Sequence, residues 1–346
     1  MYSSQYGFSD YPRRQPNQVS QDSRGTADFA LHRLIMRRSL AYLLRSIIFS
    51  FGRLKGFNHL DFLIGLAIWN ANSRQQVADV RAAYRRCFAV YAADPLGKQS
   101  GISRSAVSRL LNIPLETVRR RVAALVRNGI VTENVDGLIC AGFVDAYDGN
   151  FAVVERNNAD ALACMYNRIV EDGIALPPAP WIATADGKRL DRAAEEWVAA
   201  VTLYSIEYQV LMLSEMLSVF KIRFVQMFIL LTVFMHNVEH LLSGTASRAV
   251  PYILPDPLRH GAARKAIEQY LALPNETVRR QIFGLLSKGF LVEREDGLIV
   301  PGRVAAQCFD ETLLSAHNTR YLTATLSRLH ALADYQTTQA APRPVL

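Results

Sequence analysis

The residues best suited to chemistry in this chain are arginines and threonines at helical spacing, and they occur twice. Thr117, Arg119, Arg120, Arg121 and Arg127 lie within one short stretch, and Thr277, Arg279, Arg280 and Lys288 lie within a second. At about 100° per residue, Glu116, Arg120, Ala123 and Arg127 point away from the apolar face of Val118, Val122, Leu125 and Val126, and Thr117, Arg119 and Arg121 flank the outer face. Guanidinium forks and a hydroxyl among small side chains are what a helix needs to reach phosphate oxygens and base edges in a major groove. The bland reading of such a face is solvated charge, and Glu116 and Arg120 at i,i+4 spacing suit a simple ion pair. Retention of Glu-Thr-Val-Arg-Arg in two otherwise diverged stretches favours contact with a polyanion.

A second pattern points elsewhere. His236-Asn237-Val238-Glu239-His240 matches the H-x-x-E-H spacing in which two histidines one turn apart bind zinc and the glutamate acts as a base. The pattern is short and easily met by chance, and the corresponding stretch of the other half, Ala71-Asn72-Ser73-Arg74-Gln75, lacks it. No enzyme, metal or cofactor is expected on this basis. The four cysteines, Cys87, Cys140, Cys164 and Cys308, show no zinc-ligand or paired spacing, which predicts a reduced, cytoplasmic protein.

The elements that carry the arginines are themselves repeated. Residues 101–142 align with 261–302 at an offset of 160 without a gap, and 18 of the 42 positions are identical. Unrelated sequences would share roughly two or three, so the chain contains an internal duplication. In the first copy Ser103 is a candidate N-cap for a helix ending near Leu111, Asn112-Ile113-Pro114 is a break, and Leu115 to Asn128 reads as a second helix closed by Gly129. Ala272 replaces Asn112 in the second copy and suits a left-handed turn less well. Two β-prone runs around Asp136-Gly137, and around Asp296-Gly297, predict hairpins, with Arg294 the basic residue near the second tip.

The similarity extends beyond the block. Asn158, Leu162 and Arg168 meet Asn318, Leu322 and Arg328; the apolar stretch at Ala67-Ile68-Trp69 resembles Thr232-Val233-Phe234; and Asp94-Pro95-Leu96 recurs as Asp256-Pro257-Leu258. The expected organisation is a flexible tail (1–27), a first unit (28–175), a Pro-rich linker (176–190), a second unit (191–337) and a second tail (338–346). Net charge is +8. The first sixty residues hold nine basic against three acidic side chains, a candidate basic arm whose portion from Leu34 to Phe51 reads as an interface helix. The longest apolar run, Phe224 to Met235, is too short to cross a bilayer and reads as a core helix.

Helix, break, helix and hairpin in this order resemble bacterial winged helix-turn-helix transcriptional regulators of the broad GntR, DeoR, IclR and MarR type. The residues that carry the resemblance are Pro114, Glu116 to Arg120, Leu125, Gly129 and Gly137, with Pro274, Glu276 to Arg280, Leu285, Gly289 and Gly297 in the second copy. The resemblance implies a mainly α fold of two tandem winged helix-turn-helix units with long flanking helices and short β-hairpin wings. It also implies that Thr117, Arg119, Arg120, Thr277, Arg279 and Arg280 face double-stranded DNA. The expected function is transcriptional regulation, with a possible homodimer through the long helices, no membrane association and an unknown effector. The alternative is a protein-protein interaction scaffold built on the same units. Glu133, Asp136, Glu293, Glu295 and Asp296 make both hairpin tips acidic, which opposes close phosphate contact there.

Overall fold

The computed structural model describes residues 23–54, 57–88, 101–185, 188–241, 254–307 and 314–340. Within them the protein is mainly helical, with three antiparallel two-stranded sheets. The first half runs through α1 (Ser23–Phe51), α2 (His59–Ala78), α3 (Val80–Phe88), α4 (Arg104–Leu111), α5 (Leu115–Arg127), the hairpin β1 (Val131–Asn134) and β2 (Gly137–Cys140), and α6 (Phe151–Glu171). A hairpin of β3 (Ile182–Ala185) and β4 (Lys188–Ala193) follows. The second half repeats the series as α7 (Val198–Phe220), α8 (Phe224–Val238), α9 (Arg264–Leu271), α10 (Asn275–Ser287), β5 (Val292–Arg294), β6 (Gly297–Ile299), α11 (Gly302–Ala305) and α12 (Leu314–Ala340).

Short-range signals set the repeated block. The Ser103 hydroxyl accepts the Ala106 N–H at 3.1 Å and caps α4, whereas Ala263 at the matching place offers no side-chain cap. Both first helices end on a left-handed residue, Asn112 at φ 51° and Ala272 at φ 49°. The turn requires that conformation whichever residue supplies it, and Ala carries the steric cost of its Cβ there. Val118, Val122 and Leu125 bury one face of α5, and Val278, Ile282 and Leu285 bury the same face of α10.

Each hairpin gains a third, one-residue strand, because Ile102 bridges Leu138 and Ala262 bridges Leu298. Gly137 (φ +121°) and Gly297 (φ +128°) permit it: a Cβ at either would lie 2.9 or 2.8 Å from the Ile102 or Ala262 carbonyl oxygen. An asparagine then fastens each hairpin to the helix behind it. Asn72 on α2 donates to the Leu138 carbonyl at 3.1 Å and accepts the Cys140 N–H at 2.8 Å. Asn237 on α8 does the same with Leu298 (3.1 Å) and Val300 (2.8 Å).

The halves are not independent, because one hydrophobic core runs through both. α1 packs on α6 and α12, α7 packs on α12 and α6, α2 rests on α7, and α8 rests on α1, so each half supports the other reciprocally. At the centre the Tyr42 and Tyr208 rings lie 6.0 Å apart inside a buried polar network. Asn158 accepts from Tyr42 (2.9 Å), Ser46 (2.7 Å) and Gln209 (2.8 Å), and donates to Ser205 (2.7 Å). Asn318 accepts from Tyr208 (2.6 Å) and donates to Ser39 (3.1 Å). Each asparagine therefore ties its own half's tyrosine to the other half's serine. Satisfied polar groups at such depth favour one arrangement over alternatives that would strand them.

Several expected boundaries change. The stretch read as a linker is docked: Trp181 is fully buried with its ring 6.0 Å from Tyr166, whose hydroxyl donates to the Pro177 carbonyl at 3.0 Å, and β4 packs on α6. Apolar anchors beside the prolines outweigh the linker-like composition. Helix α1 begins at Ser23 and α12 continues to Ala340, inside the segments read as tails; residues 1–22 and 341–346, and Asp94-Pro95-Leu96, lie outside the described residues. The long helices offered for a homodimer pack on one another within the chain. Phe224 to Met235 forms most of α8, buried and bent 95° from the preceding helix, and no single described helix is long and apolar enough to cross a membrane.

Candidate nucleic-acid interface

The geometry divides the ten candidate residues into three groups. On α5, Arg119, Arg120 and Arg127 are exposed and Thr117 is half-buried at the start of the helix; on α10, Arg279 and Arg280 are exposed, with Thr277 half-buried at the same place. These residues form two outward cationic faces, one per half. The apolar faces of both helices are turned into the core, so the arginines cannot be drawn inward without unpacking Val118, Val122, Val278 or Ile282.

The ion pairing on these faces differs from the i,i+4 pair expected between Glu116 and Arg120. It is Arg119 that approaches Glu116, at 3.4 Å, and Arg279 that bonds Glu276 at 2.8 and 2.9 Å. Arg279 holds the Glu276 carboxyl below the usual carboxylate range by that hydrogen bond. Such a pair is fully solvated and exchanges readily for a phosphate. Arg120 and Arg280 form no salt bridge among the described residues, and Arg280 acts on the Glu276 carboxyl only through its charge at longer range.

Two candidates serve the protein's own structure instead. Arg121 turns back toward Asp61 on α2, 3.6 Å away and largely buried, where burial pushes the Asp61 carboxyl up against the opposite pull of the arginine. One step around the helix from Arg120 is enough to bring it over α2. Arg294 bonds Asp296 at 2.8 Å and donates to the Asp256 and Arg259 carbonyls at 2.7 Å each, pinning the second hairpin to the segment before α9. It is a strut, not a free cation at the hairpin tip. The third group is Lys288, exposed at the C-terminal end of α10 and lining a cleft between the halves.

The acidic hairpins are largely neutralised from within. Glu133 pairs with Arg104 at the start of α4, and Glu293 pairs with Arg264 at the start of α9 (2.8 Å), so the same cross-link ties each first helix to its own hairpin. The sequence signal for this link is visible at the 160 offset, where Arg104 and Glu133 recur as Arg264 and Glu293. The total charge of the hairpin tips conceals it, because a total says nothing of which cation faces which carboxylate.

The H-x-x-E-H stretch does not assemble a metal site. α8 ends at Val238, His240 lies in the following turn with its ring stacked 3.6 Å from that of His260, and no group of three or more His, Cys, Asp or Glu among the described residues is placed to hold a metal ion. Asn237, in the middle of the motif, is the hairpin clamp described above.

Two structural correspondences lie off the register of the repeated blocks. Ser39-x-x-Tyr42 recurs as Ser205-x-x-Tyr208 at an offset of 166, and Asn72 recurs as Asn237 at 165. The fixed offset of 160 that aligns the repeated blocks misses both.

No family model matches the chain, and neither does any curated protein or solved structure.

Proposed function

We propose that the chain binds double-stranded DNA as a transcriptional regulator, through two winged helix-turn-helix units in which α5 and α10 are the recognition helices. The observation that carries the reading is the pair of outward arginine faces, Arg119-Arg120 and Arg279-Arg280, each on the second helix of a helix-turn-helix-hairpin unit whose other face is packed in the core. Guanidinium groups on an exposed helix release condensed counterions when they replace them at phosphates, and the threonine near each helix start is suited to a base edge or a phosphate. One chain then offers what a symmetric dimer offers elsewhere: two helices for two half-sites about one helical turn apart. The outer faces differ, so the preferred site is an imperfect repeat.

A second reading has one observation in its favour. Phe283, at the position of Ala123, is 73% exposed on the outer face of α10. A bare aromatic ring suits a protein partner as well as a thymine methyl group, so the second unit is where a scaffold role would act.

The test is a filter-binding titration of duplex DNA at several salt concentrations. Four arginines at phosphates give log affinity a slope of roughly −3 to −4 against log salt. Substituting Arg120→Ala together with Arg280→Ala reduces that slope by about 2 while leaving the circular dichroism spectrum unchanged. A flat salt response of the wild-type protein would overturn the DNA reading, and retained protein-partner binding by a chain that binds no duplex would establish the scaffold.

A further inference from the structure

A cleft lies where the two halves meet, and residues of both halves line it. Its walls are the Asn112–Pro114 turn of the first half, the α7–α8 junction, and Gln281 and Lys288 from the middle and end of α10 in the second. The volume is about 520 Å³. That lies within the range of sites that enclose small organic molecules.

The chemistry of the walls is strongly biased. Leu217, Ile222 and Phe224 form an apolar floor, each of them buried apart from the face turned to the cleft. Lys221, Arg223 and Lys288 stand around it, all exposed, and no acidic side chain lines the cleft. Among the described residues none of these three cations is paired with a carboxylate. Three cations beside an uncompensated apolar floor create a positive potential over a surface that sheds water, the complement of a molecule with an anionic head and an apolar body.

Beside the α1–α2 junction of the first half, the described residues enclose a much smaller cavity. There Phe51 stacks on His59 at 3.7 Å, and the space these rings bound with Phe62, Phe224, Phe228 and Leu271 is about 10 Å³, with Phe224 shared between it and the cleft.

We infer that the cleft between the Asn112–Pro114 turn, the α7–α8 junction and α10 is a binding site for an amphipathic organic anion. The apolar body lies on Leu217 and Phe224, and the acidic head is held by Lys221, Arg223 and Lys288. A connection to DNA follows, and it rests on the function proposed above. Ser214 on α7 donates to the Leu110 carbonyl at the end of α4, so the first unit leans on the second half beside the cleft. A molecule lodged there touches both the turn preceding α5 and the end of α10, and biases how the two recognition helices are spaced.

The probe is 8-anilinonaphthalene-1-sulfonate, an aromatic anion whose fluorescence rises in apolar sites, titrated into the full chain without DNA. One molecule binds per chain. Lys221→Gln combined with Arg223→Gln weakens it at least fivefold with an unchanged circular dichroism spectrum, and the uncharged N-phenyl-1-naphthylamine is affected less than twofold by the same substitutions. Val225→Trp, which fills the cleft from α8, abolishes binding of both dyes. Unchanged sulfonate affinity in the double variant overturns the site. So does displacement of the dye by millimolar inorganic sulfate, because a simple ion site makes no use of the apolar floor. In a second arm, saturating dye shifts the midpoint of duplex binding at least threefold in the wild type and not in the double variant. An unshifted midpoint overturns the link to DNA. Failure of the chain to bind duplex at all overturns that link and the proposed function together, while the dye titration still decides whether the cleft is a site.

Discussion

At matching places on their second helices the two halves present different chemistry outward: Ala123 and Arg127 on α5, Phe283 and Ser287 on α10. Inward they present the same chemistry. The buried triads Val118-Val122-Leu125 and Val278-Ile282-Leu285, the hairpin clamps Asn72 and Asn237, and the cross-links Arg104–Glu133 and Arg264–Glu293 coincide pair by pair. These internal supports have been kept in both copies, while the outer-face positions Ala123 and Arg127 have diverged to Phe283 and Ser287. Some exposed charge is retained as well: Glu116 and Glu276, and Glu133 and Glu293, all within reach of an arginine, and Arg120 and Arg280, which form no salt bridge among the described residues. Solvated charge carries little selective constraint from stability, so the retention of Arg120 and Arg280 is the strongest hint of a shared ligand.

The central network gives the comparison its largest expected effect. Asn158 holds four partners and Asn318 two, because Ser46 and Gln209 have no polar counterparts at Met212 and Leu43. Urea unfolding of Asn158→Leu is expected to show a loss of about 3–4 kcal/mol, against about 2 kcal/mol for Asn318→Leu, since more buried donors lose their acceptor. Equal losses would mean that the two asparagines do equivalent work.

Next in size, if the proposed DNA reading holds, is the division of duplex affinity between the halves. Replacing both Arg119 and Arg120 by alanine is expected to weaken duplex binding about tenfold to a hundredfold at moderate salt, and replacing both Arg279 and Arg280 somewhat less, because α5 keeps Arg127 where α10 has Ser287. Phe283→Ala, measured against a panel of half-site variants, should change sequence preference at one half-site only. Loss of affinity from the first pair alone would show that the second unit serves another partner.

Caps and turns sharpen the comparison at about 1 kcal/mol each. Ser103→Ala should cost about that much, and Ala263→Ser should gain up to the same amount by supplying the missing cap. Ala272→Gly should stabilise by roughly 0.5–1 kcal/mol, because glycine removes the Cβ conflict at φ 49°. For a chain of this size, differential scanning calorimetry should read each as a shift of about 2 °C.

The smallest expected effect depends on pH. Burial lowers the His59 pKa from 6.5 to about 4, whereas the counterpart in the second half is Phe224, which does not titrate. With its folded value depressed, the unfolded chain takes up the proton first as pH falls. The stability contributed by neutral His59 is therefore complete above pH 6.5 and declines from there toward pH 4. His59→Phe should flatten this decline in urea midpoints measured between those limits, by about 1 kcal/mol after discounting for partial exposure. An unaltered pH profile would place the acid sensitivity elsewhere.

Much of each repeated block was legible because its signals are local. The break at Asn112–Pro114, the two helices, the closing Gly129 and the Asp-Gly hairpin fall within a few residues of where the sequence places them. Of the ten candidate surface residues, the outward ones followed from helical phase alone. Arg121 and Arg294 did not, because their fate depends on Asp61 and on the Asp256 and Arg259 carbonyls, tens of residues away in the chain. The docking of Trp181 was hidden in the same way by the prolines beside it.

By itself the sequence determined the duplication, the helix-helix-hairpin order and the phase of each amphipathic helix, since caps, glycines and 3.6-residue periodicity act over one or two turns. Tertiary structure alone decided that the halves share one core, that Tyr42 and Tyr208 meet at its centre, and that a cleft opens between the halves over Leu217 and Phe224. Those outcomes depend on side chains more than a hundred positions apart competing for the same space, and no local pattern encodes which of them arrives there.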